Sequence, residues 1–444
     1  CVRFAAFLSF LYVLRIIVLL LHYRPAGKNS AIFAMPFRKL LMNAHSLSSS
    51  AAGRVVFALA LGAGFSVAAI YYAQPLLPLL GRDLHLSVNQ MGLVPTFTQV
   101  GYALGILFLL PLGDRYDRRR LILLKSAALA LLLLACSLTG QLTSLLTVSL
   151  LLGMAATMAQ DIVPAAAILA PDGKQGKMVG TVMTGLLLGI LLSRTVSGFV
   201  GATLGWRTMY QLAAASIVLV GLLLWSVLPR FATHSTLSYP ALMGSMVRLW
   251  LRYPALRRAA FAQGFLSVAF SAFWSTLALM LLAKYQLGSA AAGAFGIAGA
   301  AGALAAPLAG GLADRVGPQR VTLLGAALVT LSFGLMLLLP LLSPHGQLAL
   351  IAAAAVGFDL GLQSSLVAHQ NLVYRLEPQA RGRLNALLFT GVFIGMAMGS
   401  VLGSKLYEVA SWQGVVLLAI AAGGAAVTVR LYDARCLRKG ECKA

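Results

Sequence analysis

From residue 54 onward the chain alternates long apolar runs with short polar turns. A helix needs about 20 mostly apolar residues to cross a bilayer, because its backbone polar groups must be satisfied within the segment. Twelve runs meet that length, at 55–79, 91–113, 121–139, 144–170, 178–203, 208–228, 259–282, 290–312, 321–342, 348–373, 384–407 and 414–430. The longest polar connection, 229–258, holds five arginines and no carboxylate, and it divides the runs into two sets of six. The pattern predicts an all-α membrane protein with twelve transmembrane helices in two six-helix halves, 55–228 and 259–430. A lead-in at 35–54 and a tail at 431–444 flank them.

Composition agrees: 60% hydrophobic and 10% charged residues exclude a soluble domain, where about a quarter is charged. The net charge of +23 is parcelled into loops, not gathered on a basic face, so the expected partner is a lipid bilayer and not nucleic acid. Counting from Met35, 25 of the 34 Lys and Arg fall on the side of the central loop. The other side holds Arg82, Arg207, Lys284 and Lys405, which by the positive-inside rule puts both ends in the cytoplasm. Residues 1–34 stand apart, with an apolar run at 4–21 interrupted by Arg15. They are expected to be translated sequence upstream of Met35, with a signal anchor or a cleaved signal peptide as rival readings.

Enzyme chemistry has little support. Cys1, Cys136, Cys436 and Cys442 have neither metal spacing nor a disulfide framework, and there is no P-loop. No cofactor or metal is expected, and a proton gradient is the expected energy source.

The halves look like repeats. A shift of 206 positions lays Gly176, Thr184, Gly185, Gly189 and Trp206 on Gly382, Thr390, Gly391, Gly395 and Trp412 without a gap. Each half also carries a charged turn after its second run, "PLGDRYDRRR" at 111–120 and "GGLADRVGPQR" at 310–320. With twelve helices, two halves, a basic central loop and these turns, the chain resembles the major facilitator superfamily over residues 54–430. The second turn follows the family pattern through Gly310, Leu312, Ala313, Asp314, Arg315, Gly317 and Arg320. The first keeps Asp114, Arg115, Arg118, Arg119 and Arg120, with Leu110 and Asp117 where the pattern has glycine. Together with "YYAQPLLPLL" in the first run, these residues are similar to the drug:proton antiporter and sugar-efflux branch. The resemblance implies alternating access by a secondary transporter, in this branch proton-coupled efflux of a small organic solute by a single chain.

A carboxylate at a helix end can pair with arginines and with a neighbouring helix terminus. Asp114, Arg115, Arg119 and Arg120, with Gly310, Asp314, Arg315, Gly317 and Arg320, are therefore the candidate latch of a two-state motion, the alternative being a topology signal only. Ionisable residues deep in the runs are costly and mark function. Three are evident, Asp161, Arg194 and Asp359. Asp161 and Arg194 lie on consecutive helices, and proton coupling, a structural pair and opposite-facing residues all remain open for them. Asp359 is the rival coupling carboxylate. The resembling branch has Gly-x-x-x-Gly-Pro-x-x-Gly-Gly in its fifth helix; here Gly185, Gly189, Gly198 and Gly201 keep small-residue spacing, but Ser193, Arg194 and Thr195 replace the proline region and weaken the implication of export. Tyr71, Tyr72, Gln74, Gln99, Tyr102, Gln160, Gln263, Trp274 and Gln363 are candidates to line a cavity for a small, neutral or amphipathic solute, with packing as the alternative for each. His369 reads as an interfacial helix-end residue. A uniporter or importer, or a non-transporting sensor or relic, is the alternative function.

Overall fold

The computed structural model describes residues 49–171, 174–231, 238–299, 312 and 315–439, and these form helices with no strand among them. Ten stretches are long and apolar enough to cross a membrane. Gly53–Leu84, Val88–Arg115, Arg118–Leu138, Leu142–Leu169, Gln175–Leu204, Trp206–Val227 and Pro254–Tyr285 are the first to seventh spans. Of the eighth expected run, Ser289–Phe295 is helical and residues 300–311 lie outside the described residues. Pro318–Leu341 and Pro344–Tyr374 are the ninth and tenth. The last stretch, Pro378–Arg435, has 58 residues. As straight helix it would run about 87 Å, more than twice a bilayer core. It breaks at Ala410 and Ser411, where φ of Ser411 is 53°, and so supplies the eleventh and twelfth spans. The segment 1–34 and the lead-in as far as residue 48 lie outside the described residues.

Local chemistry starts and interrupts the spans. Ser87 and Gln90 form a reciprocal capping box at the second, the Gln90 amide donating to Ser87 Oγ (3.3 Å) and the Ser87 amide to Gln90 Oε1 (2.9 Å). Four spans are discontinuous, at 69–72, at 110–111 after the π-helical turn Gly105–Leu109, at Thr157 and, among the described residues of the eighth, at 296–299. The central connection is not wholly loop, as its polarity had suggested. It contains the helix Tyr239–Arg252, whose Leu242, Met246 and Leu249 are buried at helical spacing. Tyr239 Oη donates to the Phe108 carbonyl (3.0 Å) and Arg383 Nη1 to Ser245 Oγ (2.8 Å), so this helix touches both halves.

The duplicated glycines explain how the halves pack. A Cβ on Gly189 would lie 2.2 Å from the Gly64 carbonyl oxygen, and one on Gly395 would lie 2.1 Å from that of Gly264. The fifth span thus packs on the first as the eleventh packs on the seventh, backbone against backbone. The third and sixth spans meet where Gly221 faces Ser126, and the ninth and twelfth where Gly423 faces Thr330. The repeat is therefore one of packing as well as of letters.

Candidate functional site

The halves meet through the fifth and eighth spans and through the second and eleventh. Thr195 Oγ1 donates to the Gly293 carbonyl (3.0 Å), and a Cβ on Gly198 would meet the Ser289 carbonyl at 2.4 Å. Ser400 Oγ donates to the Gly92 carbonyl (2.9 Å). Gln99 Nε2 donates to Ser271 Oγ (3.1 Å) across the same boundary. Beside it, an apolar cavity of about 310 Å³ lies between the second and eleventh spans, lined by Val100, Leu104, Ile394 and Met398 among others. None of the predicted polar residues lines it.

Inside the boundary lies a polar cluster built around Arg194, which is 3% exposed. Its Nε donates to Gln74 Oε1 at 2.8 Å. Its guanidinium carbon sits 4.6 Å from the ring centre of Tyr71, 4.3 Å from Trp274 and 5.3 Å from Phe270. Such cation–π contacts contribute roughly 0.5–2 kcal/mol each and offset part of the cost of a buried charge. Asp359 is 5% exposed and belongs to the same electrostatic neighbourhood, but it forms no ion pair with Arg194 among the described residues. The discontinuities position these groups. Tyr71 stands on the break in the first span, and Gly296 and Gly299 in the eighth come so close that added Cβ atoms would meet Arg194 Cβ at 3.0 Å and Asp359 Oδ2 at 2.6 Å. Two buried donors of the cluster, Gln74 Nε2 and Arg194 Nη2, have no hydrogen-bond partner among the described residues, and Trp274 Nε1 faces Asp359. Unpaired buried groups cost about 1–3 kcal/mol each, so they mark a place built for something other than packing.

Asp161 does not join this cluster and does not pair with Arg194. Lys125 Nζ contacts Asp161 Oδ2 at 2.5 Å, with the two side chains 8% and 0% exposed. Lys125 had been counted among the loop charges, yet it lies one third of the way into the third span. Counting from the observed span ends, Lys125 and Asp161 sit about 10 and 12 Å from the same face, whereas the bounds read from the sequence put them at about 6 and 14 Å. A Cβ on Gly113, in the first charged turn, would lie 3.3 Å from Asp161 Oδ1. Asp161 is thus a neighbour of the turn and not of the midplane.

In that turn Arg118 pairs with Asp114 at 3.4 Å and Arg119 Nη2 donates to the Trp225 carbonyl at 2.7 Å. Arg115 lies over the Tyr116 ring, and Arg120 is exposed. The departure Asp117 has a physical reason. Its Oδ1 accepts from the Arg119 amide and from the Phe231 amide, both at 3.0 Å, which caps the third span and ties it to the end of the sixth. Asp117→Ala should cost about 0.5–2 kcal/mol, read as a lower unfolding temperature in detergent, while Arg120→Ala should leave it unchanged. Of the second turn, Arg315 and Arg320 are exposed and Gly317 adopts φ 88° at the start of the ninth span. Gly310 and Asp314 lie outside the described residues.

Among the remaining candidates, Tyr102 accepts from Gln160 Nε2 (3.2 Å) and packs on Phe393 of the other half, ring centres 4.2 Å apart. Tyr72 is buried in the core of the first half and Gln363 is half-buried. Gln263 Oε1 contacts His369 Nδ1 at 2.9 Å, and His369 is fully buried, which corrects its reading as an interfacial residue. A second buried ionic group, Arg258, Arg430 and Asp433, joins the start of the seventh span to the end of the twelfth. The sequence placed Arg258 in the central loop, Arg430 at the last position of the twelfth run and Asp433 in the tail.

The sequence pattern of the Major Facilitator Superfamily matches residues 59–375 and 259–435. The chain is 37% identical over 374 residues to the uncharacterized transporter YgaY of Escherichia coli O157:H7, covering 84% of this chain and 93% of that one. It is 25% identical over 406 residues to the multidrug resistance protein MdtG of Yersinia enterocolitica, covering 88% and 95%. Its fold is shared with an inward-facing, unoccupied bacterial homolog of the human lysosomal transporter Spinster, at a TM-score of 0.70 and 17% identity, covering 89% and 100%. With its duplicated helix packing and broken spans around a polar cluster between the halves, this membrane protein belongs to the major facilitator superfamily.

Proposed function

We propose that this transporter is a proton-coupled carrier of a small organic solute, with solute and proton bound in the Arg194–Asp359 cluster between the halves. The observation that carries this reading is the pair of opposite charges buried at the boundary without direct contact, with unpaired donors beside the broken first and eighth spans. Charges so placed are expensive, and each is accessible to a ligand whenever the boundary opens. Asp359 is the proton site. Asp161, held by Lys125 beside the charged turn, serves the latch that biases the rocking of the halves. We place the chain in a bacterial inner membrane, with the basic face cytoplasmic.

Efflux in exchange for protons is the direction supported by similarity to a multidrug resistance protein. Uptake together with protons is a second reading, favoured by Ser193, Arg194 and Thr195 standing where the efflux branch has its proline region. Reconstitution into liposomes loaded with a pH-sensitive dye separates them. A panel of sugars, amino acids, purines, carboxylates and cationic drugs is added outside. Exchange makes the lumen alkaline, cotransport makes it acid, and Asp359→Asn should reduce either signal to background. An undiminished response in Asp359→Asn would remove Asp359 from coupling.

A further inference from the structure

We propose that the solute carries a carboxylate, and that Arg194, with Gln74, receives it. This rests on the reading of the boundary cluster as the solute site. Two donors there have no partner among the described residues, Arg194 Nη2 and Gln74 Nε2, whereas Trp274 Nε1 faces Asp359. They come from the fifth and first spans, and each residue is no more than 3% exposed. Two buried donors, one of them on a cation, require an acceptor, and an anionic oxygen meets both with charge-assisted hydrogen bonds. Gln74 Oε1 already accepts from Arg194 Nε, which turns its amide nitrogen free for the ligand and holds the guanidinium in place. Tyr71, Phe270 and Trp274 provide the remaining surface, suited to a flat or apolar body behind the anionic group.

Charge decides among ligand classes. Among the described residues the cluster holds one cation, Arg194, and one carboxylate, Asp359, and is neutral overall when Asp359 is ionised. A cationic solute would bring a second positive charge against Arg194. A neutral solute would leave the Arg194 and Gln74 donors without a charged acceptor. A phosphate dianion would leave a net negative charge even with Asp359 protonated. A monocarboxylate together with one proton on Asp359 restores neutrality. The titratable groups that face Asp359 among the described residues are Arg194 of the fifth span and Tyr71 of the first. The eighth span presents Gly299 and the seventh Trp274, and neither titrates near neutrality. Proton uptake on ligand binding is therefore assigned to Asp359, which favours cotransport, the second reading above, over exchange.

The test uses the purified full chain in lipid nanodiscs, with benzoate and butyrate as probes and benzamide and benzylamine as their neutral and cationic counterparts. Binding is read from Trp fluorescence and from proton uptake in weakly buffered solution. The carboxylates should bind at least about tenfold more tightly than benzamide or benzylamine, with uptake of about one proton. Arg194→Gln should lose that preference, Arg194→Lys should keep a reduced preference for anions, and Asp359→Asn should bind benzoate without taking up a proton. Equal binding of benzoate and benzamide, unchanged benzoate affinity in a folded Arg194→Gln protein, or no carboxylate binding to the folded wild type would each overturn the proposal. Benzoate binding that depends on Arg194, without proton movement in liposomes, would retain the carboxylate site and remove the coupling. Coupled movement of neutral or cationic solutes only would do the reverse.

Discussion

Lys125→Met should be among the most damaging single substitutions in the chain, lowering stability by about 3–5 kcal/mol, because it leaves the fully buried Asp161 without its cation. The two side chains touch at 2.5 Å with almost no access to solvent, so neither water nor another described residue takes over when one is removed. Coulomb attraction of the pair and its desolvation nearly cancel, which sets the second half of the expectation. The double variant Lys125→Met with Asp161→Leu, which removes both charges, should recover most of the stability lost by the single change. Unfolding temperature and the yield of monodisperse protein in detergent measure both. A double variant as unstable as the single one would show that the pair holds the third and fourth spans by something beyond its charges. Proton transport adds a separate result. If Asp161 serves the latch, the double variant should move solute slowly but remain coupled, whereas Asp359→Asn should be uncoupled.

Gly395→Ala should cost about 1–3 kcal/mol, although alanine is the better helix former. The added Cβ would stand 2.1 Å from the Gly264 carbonyl oxygen, with Gly264 C at 2.7 Å and Cα at 2.9 Å. All three are backbone atoms, so the eleventh span must move away from the seventh as a body. Gly189→Ala repeats the experiment in the other half, with the Gly64 carbonyl oxygen at 2.2 Å. Gly424→Ala is the control, since nothing lies within 4 Å of its Cβ, and there the gain in helix propensity should stabilise by up to about 1 kcal/mol. If all three substitutions behave alike in thermal unfolding, the close approach of the duplicated spans is not what these glycines serve.

The fold was legible in the sequence to an unusual degree because the bilayer acts on composition. Each span has to be apolar over its own length, so a running average finds it, and only the ends shift, as in the seventh span, predicted at 259–282 and observed at Pro254–Tyr285. The glycines of the duplicated halves were legible for a related reason: small residues are needed wherever two backbones approach, and Gly189 and Gly395 carry that need in their identity. The buried charges were legible as residues. Arg194 and Asp359 stood out in apolar surroundings, but their nearness to each other was not read, since Arg194 was set beside Asp161.

What only the tertiary structure decided was which charge answers which. Lys125 and Asp161 are 36 positions apart, and Arg194 and Gln74 are 120 apart, so no local pattern connects them. A flexible lysine seven residues inside a span scores as a loop neighbour until a helix from elsewhere brings a carboxylate to the same depth. The central helix Tyr239–Arg252 was hidden for the complementary reason: its narrow apolar stripe is short and diluted by arginines, and becomes meaningful only against the surface it covers. Apolar span, hand-over turn and small-residue stripe are properties of a segment, so the amino-acid sequence by itself determined them. Pairing of buried charges is a property of two segments at one point in space, and there the energetics of desolvation leave the choice to the packed structure.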